Sequence, residues 1–330
     1  MSKSVITQGL SRLHSVAQKF HFVAKGLNKE TGIPYLQLVL DMILSFLRYR
    51  AVPDEYKIYR FYEKTHFAKN CFLTGRRKLR FEKLFNPEEF RPLFNNKNEF
   101  NRHFSDFIGR KWLYAPDASD QQIEDFLSTQ KTIIVKPRNL LWGLGVYKLV
   151  YSEVADVKAF CESARKDCLL LEEAIEQHPD LSSIHPDSVN SLRINTVLDK
   201  EGVPHILRAS LRMGRGQSVV DNLHAGGIAA QIDLDTGVLY TPAIGSDLQT
   251  YVQHPISGVV LPGFQIPHWE AARKMVLHVA TMSPQTRWIG WDVAITKNGP
   301  LLIEDNTRSA VDLLQFVTQT GFKHILRSYL

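Results

Sequence analysis

The stretch LLIEDNTRSA, residues Leu301 to Ala310, sets Glu304, Asp305 and Asn306 directly behind an apolar run. Upstream lies Trp288-Ile-Gly-Trp-Asp-Val-Ala-Ile295, interrupted only by Asp292, and Lys297-Asn298-Gly299 between the two segments reads as a hairpin turn. Counted outward from that turn, Asp292 and Glu304 lie about equally far from the tip. Antiparallel pairing therefore sets them opposite each other on one face. Both acids adjoin core residues, where a carboxylate needs a partner. Facing carboxylates with an amide oxygen nearby suit Mg2+, which keeps waters and substrate phosphates as its other ligands. The alternative is a surface hairpin with solvated acids.

Such a cation implies phosphates, and an earlier hairpin carries a lysine to meet them. Thr132 to Val135 is a β-prone run ending in Lys136-Pro137; it enters a turn containing Gly143 and Gly145, and Val146 to Tyr151 returns. The two glycines let backbone N–H groups approach an anion, although no GxxxxGK[ST] loop is present, and an ordinary turn reads equally well. Leu169-Leu-Leu-Glu-Glu-Ala-Ile175 is an apolar strand running into an acidic linker, either a plain strand end or a segment whose backbone reads a base. Strand-like stretches at 191–198 and 204–212 carry Arg193, Arg208 and Arg212, whose charges need a cleft or a counter-ion. Alternation puts Arg208 and Arg212 on one face, fit to grip a phosphate or a carboxylate. Asp221-Asn-Leu-His-Ala-Gly-Gly227 is a polar, glycine-rich loop.

Before residue 90 the texture is helical and basic. Apolar spacing from Ile6 to Ala24 predicts an amphipathic helix, read in preference to a transit peptide because the segment holds a single Arg. Tyr35 to Leu47 carries Asp41 and is too short to span a bilayer, so it reads as a buried or interfacial helix. Lys57 to Lys83 holds nine Lys and Arg against Glu63 and Glu82, interleaved with Tyr59, Phe61, Tyr62, Phe67, Phe72 and Phe81. That segment is either a solvated helical face over core aromatics or a surface for nucleic acid or another polyanion; the first is favoured because no nucleic-acid module signature accompanies it. Cys71, Cys161 and Cys168 form no disulfide framework or CxxC pair, which fits a reducing, cytoplasmic setting. At 330 residues and 44% hydrophobic content, with mixed helix and strand patterns, the chain is expected to be α+β or α/β.

The ordered set Lys97, Ile134-Val-Lys136-Pro137, Glu172-Glu173, Asp221-Asn-Leu-His-Ala-Gly-Gly227, Asp292 and Ile303-Glu304-Asp-Asn306-Thr-Arg308 resembles the ATP-grasp superfamily over about residues 95 to 330. Leu171-Glu-Glu-Ala-Ile-Glu-Gln-His-Pro179, Ile184-His-Pro-Asp-Ser-Val-Asn-Ser-Leu-Arg193 and Ile289-Gly-Trp-Asp-Val-Ala-Ile295 are similar to its sugar-transfer-associated branch, related to α-L-glutamate ligases. Arg308 departs from that branch, and Glu304-x-Asn306-Thr-Arg308 is similar to biotin-carboxylase-type members.

The resemblance implies an α+β fold in which two subdomains, 95–180 and 181–330, clamp ATP behind a helical, basic region 1–94. It implies Lys97 and Lys136 on the phosphates, with Gly143 and Gly145 closing over them. Glu172, Glu173 and the backbone at Ala174 and Ile175 would read adenine, Gln177 or His178 the ribose, and Asn222 would belong to the nucleotide-side loop. Asp292, Glu304 and Asn306 would hold Mg2+, or Mn2+ in its place. Arg193, Arg212 and Arg308 would stabilise the transferring phosphoryl group or an acyl phosphate. The implied enzyme is an ATP-dependent carboxylate–amine ligase that forms a C–N bond on a small amino-acid or sugar derivative and releases ADP and phosphate. An ATP-grasp kinase and a non-catalytic nucleotide-binding protein docking through residues 57–83 are the alternatives. No nucleic acid and no integral membrane segment are expected, and a homodimer is in keeping with the family.

Overall fold

Segments that alternate in polarity and are punctuated by Gly, Asn and Pro bury one face most simply as sheets, and after residue 111 the chain forms two. The computed structural model describes residues 3–138, 144–216, 221, 226–307 and 311–330. The smaller sheet is antiparallel in the order β1-β4-β2-β3, from β1 (Trp112–Tyr114), β2 (Thr132–Pro137), β3 (Tyr147–Val150) and β4 (Leu169–Glu173). The larger comprises β5 (Leu192–Leu198), β6 (Pro204–Met213), β7 (Ile228–Ile232), β8 (Ala243–Gly245), β9 (Thr250–Tyr251), β10 (Trp288–Thr296) and β11 (Gly299–Asn306). Its order is β11-β10-β5-β6-β7-β8-β9. Both hairpins read from the sequence form, and the class is α+β with a helical N-terminal region, as expected.

Each sheet has its own apolar cover. The helix Trp269–Thr281 buries Trp269, Ala272, Met275, Val276, Val279 and Ala280, the three- and four-residue spacing of one helical face, into the core of the larger sheet. Gly237 makes room for it: its φ is +76°, and a Cβ there would stand 2.3 Å from Cγ of Trp269. Ile133, Val135, Leu169 and Leu171 of the smaller sheet pack with Ile123 and Leu127 of the helix Asp120–Gln130 and with Cys161 and Ala164 of the helix Val157–Lys166. The former helix starts on a Ser119–Gln122 capping box and the latter on Asp156, the caps that orphan N–H groups require.

The chain divides into two compact units, Met1–Phe81 with Val311–Ser328 and Leu330, and Glu82–Ala310 with Tyr329. In the first, the helices Lys3–Thr31 and Tyr35–Tyr49 pack around Val23, Leu27, Leu38, Met42, Tyr56, Tyr59, Phe61 and Phe72. Asp41, an acid inside an apolar run, accepts from the Tyr56 hydroxyl at 2.7 Å and from Lys69 Nζ at 2.6 Å. Four of the interleaved aromatics, Tyr59, Phe61, Phe72 and Phe81, are buried, whereas Phe67 is exposed. The C-terminal stretch belongs to the same unit: buried Gln315 accepts from the backbone N–H groups of Leu73 (2.8 Å) and Phe322 (3.0 Å) and donates to the Leu73 carbonyl (2.9 Å).

In the second unit Asn86 locks the start of β10 to the residue that follows β11. Its Nδ2 donates to the carbonyls of Trp288 (2.6 Å) and Thr307 (2.8 Å), and its Oδ1 accepts from the Trp288 N–H at 2.9 Å. Asn86→Ala leaves these buried groups unmet and is expected to cost about 3 kcal/mol. Urea unfolding followed by tryptophan fluorescence measures this, because Trp288 and Trp291 are buried beside the lock; an unchanged midpoint would contradict it.

Candidate active site

Near the tip of the last hairpin Thr296 pairs with Gly299, which leaves Lys297-Asn298 as the turn. Carried on unbroken, that register would set Asp292 against Ile303. A bulge between Asp292 and Val293 takes up one residue, so Asp292 faces Glu304 and Gly290 faces Asn306. Asp292, Glu304 and Asn306 consequently share one face and Asp305 takes the other. The three oxygen-bearing residues stand inside β11, as its last positions.

On the other side of β10, Asp292 pairs with Arg193 of β5. The Arg193 guanidinium grips both carboxylate oxygens, through Nε to Oδ1 and through Nη2 to Oδ2 at 3.1 Å. Arg212 Nη2 joins Oδ2 at 2.9 Å, approaches Asp221 Oδ1 at 3.3 Å and donates to the Ser191 hydroxyl at 2.7 Å. Asp221 in turn accepts from the Ser191 N–H at 3.0 Å. Burial alone would raise the Asp292 carboxyl; the charges of Arg193 and Arg212 prevail and hold it below its ordinary value. Arg212 is pushed up, because Asp221 and Asp292 outweigh its own burial.

Glu304 behaves in the opposite way. Burial and then the Asp292 charge raise it, against the pull of Lys136, Arg212 and Lys97. Asp305 is raised well above the usual carboxylate range by burial, Glu304 and Asp292. One carboxylate of the facing pair is thus fully compensated and its partner is short of positive charge. Lys97, first residue of the helix Lys97–His103, is lowered by burial, with Glu304 drawing it up and Lys136 pushing it down.

Lys136 reaches this place because Glu172 fixes it. Paired strands set Ile134 against Glu172, and the Lys136 ammonium forms an ion pair with Glu172 Oε2. Arg110 Nη2 and Asn101 Nδ2 donate to Oε1 at 2.7 and 3.0 Å. Burial opposes ionisation of Glu172, yet the Arg110 and Lys136 charges keep its carboxyl far below the ordinary range. Arg110 also donates to the carbonyls of Leu302 (2.7 Å) and Ile303 (3.3 Å) in β11.

Lys97, Lys136, Glu172, Arg193, Arg212, Asp292, Glu304 and Asn306 therefore come together. The Glu173 carboxylate is elsewhere, accepting from the Lys111 N–H at 2.9 Å. Ala174 and Ile175, half-buried, follow β4. Gln177 is occupied: its Nε2 donates to the carbonyls of His185 and Ser188, both at 2.9 Å, and its Oε1 accepts from N and Nδ2 of Asn190, both at 3.0 Å. His178 caps the helix Pro179–Ile184, and its N–H donates to the Ile295 carbonyl at 2.7 Å. Gly145 adopts φ +70°. Gly143, Asn222 and Arg308 lie outside the described residues. Arg110, Asn101 and Ser191 were not singled out from the sequence, and Asp221 only as the first residue of a polar loop; Arg110 is signalled only by its place after Gly109, which turns at φ +61°.

Among the described residues no three His, Cys, Asp or Glu side chains form a set able to hold a metal unaided. Asp292, Glu304 and Asn306 fit Mg2+ as part of a shell completed by phosphate and water oxygens, the usual arrangement for that ion. Two features support the fit. Glu304 stays raised despite Lys136, Arg212 and Lys97, an imbalance that a divalent cation offsets, and the buried Asn306 Nδ2 meets no partner among the described residues, a donor suited to a phosphate oxygen beside that cation.

A family model described as sugar-transfer associated ATP-grasp matches residues 145–329. Nothing among the curated proteins matches the sequence. Among solved structures, the ATP-grasp ligase PsnB complexed with minimal precursor, Mg and ADP is 12% identical, with a TM-score of 0.46 over 77% of this chain and 64% of that one. D-alanyl-alanine synthetase A from Vibrio cholerae is 13% identical, with a TM-score of 0.41 over 70% and 66% of the two chains. An L-amino acid ligase from Bacillus licheniformis is 13% identical, with a TM-score of 0.40 over 72% and 49%. The chain thus spans less than two thirds of the length of each.

Glu172→Gln strands Arg110 and Lys136 and is expected to cost about 3–5 kcal/mol at neutral pH. The sign with pH follows from the lowered carboxyl. Its contribution is present above the ordinary value of 4.5 and is lost as pH falls below it. Wild type should therefore lose stability in acid more steeply than the variant. Parallel acid-dependence in urea unfolding would refute the role of Glu172.

Proposed function

Because the chain belongs to the sugar-transfer-associated ATP-grasp family, we propose that it is an ATP-dependent carboxylate–amine ligase working on small molecules. The observation that carries this reading is the meeting of Lys97 and Lys136 with Glu304, Asp292 and Asn306, the cations and hard oxygens that a metal-bound triphosphate requires. In the proposed reaction an oxygen of the substrate carboxylate attacks the γ-phosphorus and ADP leaves, forming an acyl phosphate. The amine then attacks the acyl carbon, loses a proton, and orthophosphate departs with the C–O electron pair.

The chain's own residues position and neutralise. Lys136 and Lys97 take the triphosphate oxygens; Glu172 holds Lys136 extended while Arg110 fixes Glu172. Ala174 and Ile175, just past β4, would present backbone groups to the adenine, and His178 would face the ribose, since the amide of Gln177 is already bound. Arg193 and Arg212, set by Asp292, offer donors to the acyl phosphate in a water-poor site. Mg2+, when bound at Asp292, Glu304 and Asn306, supplies charge neutralisation to the phosphates. We place the nucleotide lobes at 95–180 and 181–330, less the stretch Val311–Ser328, which packs in the first unit. All three cysteines are free, which suits a reducing compartment such as the cytoplasm.

The two facing acids separate function from stability. Glu304→Gln removes a carboxylate that burial and Asp292 already disfavour, so its melting temperature should equal or exceed that of wild type while turnover falls at least 100-fold. Asp292→Asn leaves two buried guanidiniums under-compensated and should lose stability as well as turnover. The assay is a screen of carboxylates and amines for ADP and orthophosphate release with Mg2+ and ATP. Release only when both substrates are present marks the ligase; phosphate retained on a hydroxyl would mark a kinase. Full activity of Glu304→Gln would remove the metal assignment.

A further inference from the structure

The helix Tyr35–Tyr49 is apolar on two opposite faces. Leu38, Met42, Ser45 and Tyr49 point into the core of the first unit. On the far side Leu36, Leu40, Ile43, Leu44 and Leu47 recur at positions 0, 4, 7, 8 and 11 of the helix and are 72%, 62%, 41%, 47% and 59% exposed. Five aliphatic side chains in one stripe make a patch of several hundred Å2, the scale at which an exposed apolar surface marks an interaction site. With 15 residues the helix is too short to cross a bilayer, and no helix among the described residues is long and apolar enough to do so.

The surroundings of the stripe are cationic. Exposed Arg48 and Arg50 stand at its C-terminal end, Arg76 lies over the Phe46 ring at 5.5 Å, and Arg77 Nη2 donates to the Arg48 carbonyl at 2.8 Å. Residues 1–81 hold 15 Lys and Arg against 5 Asp and Glu, a net of +10 in a chain whose total is +6, so the remaining 249 residues carry −4. Four of the five acids are held internally: Asp41 by Lys69, Glu30 by Lys57, Asp54 near Lys19 at 3.7 Å, and Glu55 by the N–H groups of Val52 and Gly75. The net positive charge of the segment is therefore little screened by free acids, and Arg48, Arg50 and Arg76 are the part of it that stands beside the leucines.

We infer that this helix docks on the surface of an anionic lipid bilayer, its Leu36, Leu40, Ile43, Leu44 and Leu47 entering the headgroup–acyl boundary while Arg48, Arg50 and Arg76 meet lipid phosphates. Charge selects the occupant. A second copy would bring one +10 segment against another, which like-charge repulsion opposes, whereas an anionic bilayer offers the stripe an apolar layer beneath a negative one. The aliphatic centre also disfavours a nucleic acid, which would call for stacking rings at that place.

The test is co-sedimentation of the full chain with vesicles of phosphatidylcholine alone and of phosphatidylcholine with one third phosphatidylglycerol. The anionic vesicles should bind at least tenfold more tightly, and added sodium chloride should weaken that binding. Leu40→Gln/Leu44→Gln/Leu47→Gln should lose at least tenfold with circular dichroism and melting unchanged, because all three side chains are exposed. Arg48→Gln/Arg76→Gln should weaken binding and flatten its salt dependence. Equal partition to both vesicles, or wild-type binding by the triple variant, would overturn the inference. So would a wild-type dimer in sedimentation equilibrium that the triple variant converts to monomer, or tighter binding to polyglutamate than to anionic vesicles. No readout uses ATP turnover, so failure here leaves the ligase reading standing, and the reverse.

Discussion

Arg110 is the joint on which the site depends. One guanidinium neutralises Glu172 of β4 and caps the carbonyls of Leu302 and Ile303 in β11, so it ties the smaller sheet to the last strand of the larger one at a single buried point. A buried carboxylate with several charge-assisted partners cannot shift without exposing an uncompensated charge. Lys136, bound to the same carboxylate, inherits that fixity, and it is carried to within electrostatic reach of Glu304. The meeting of cation and carboxylate across two sheets is thus a consequence of how one acid is satisfied.

The bulge in the last hairpin does the matching work on the opposite side. Without it Asp292 would face an aliphatic side chain and Glu304 would turn away from the shared face. With it two carboxylates stand opposite, and the surroundings treat them unequally. Asp292 receives two guanidiniums and stays ionised; at Glu304 burial and the Asp292 charge outweigh Lys136, Arg212 and Lys97 and bias it toward its proton. Like charges brought together with unequal compensation are a recurrent sign of a functional site. Asn306, with a buried amide nitrogen that nothing among the described residues meets, adds to that sign.

Most of this was legible where the cause is local. Alternation and turn residues are short-range, so both hairpins and the facing of Asp292 and Glu304 could be read directly, although the count from the turn worked only because the bulge supplied the missing residue. Long-range compensation left no such trace. Arg110 and Glu172 are separated by 62 residues, and a Gly-Arg-Lys run before a short strand looks like ordinary solvated charge. Gln177 illustrates the converse: it follows the acidic linker as a nucleotide contact would, yet it is consumed by the backbone of the segment 185–190. Nothing in one polar side chain says whether its partner is a ligand or the protein.

The two units differ in how they handle charge, and that difference bears on what each is for. In the second, buried cations and anions are set against one another around Glu172 and Asp292, and Glu304 is raised beside them. In the first, four of the five acids of residues 1–81 are paired within the unit, and Arg48 and Arg50 stand exposed at the end of the leucine stripe. A helix with apolar residues on both faces satisfies only one of them by folding, and the other adds nothing to the stability of the isolated chain. Such a face is explained when something outside the chain completes it, which is the same logic by which an under-compensated Glu304 points to a cation.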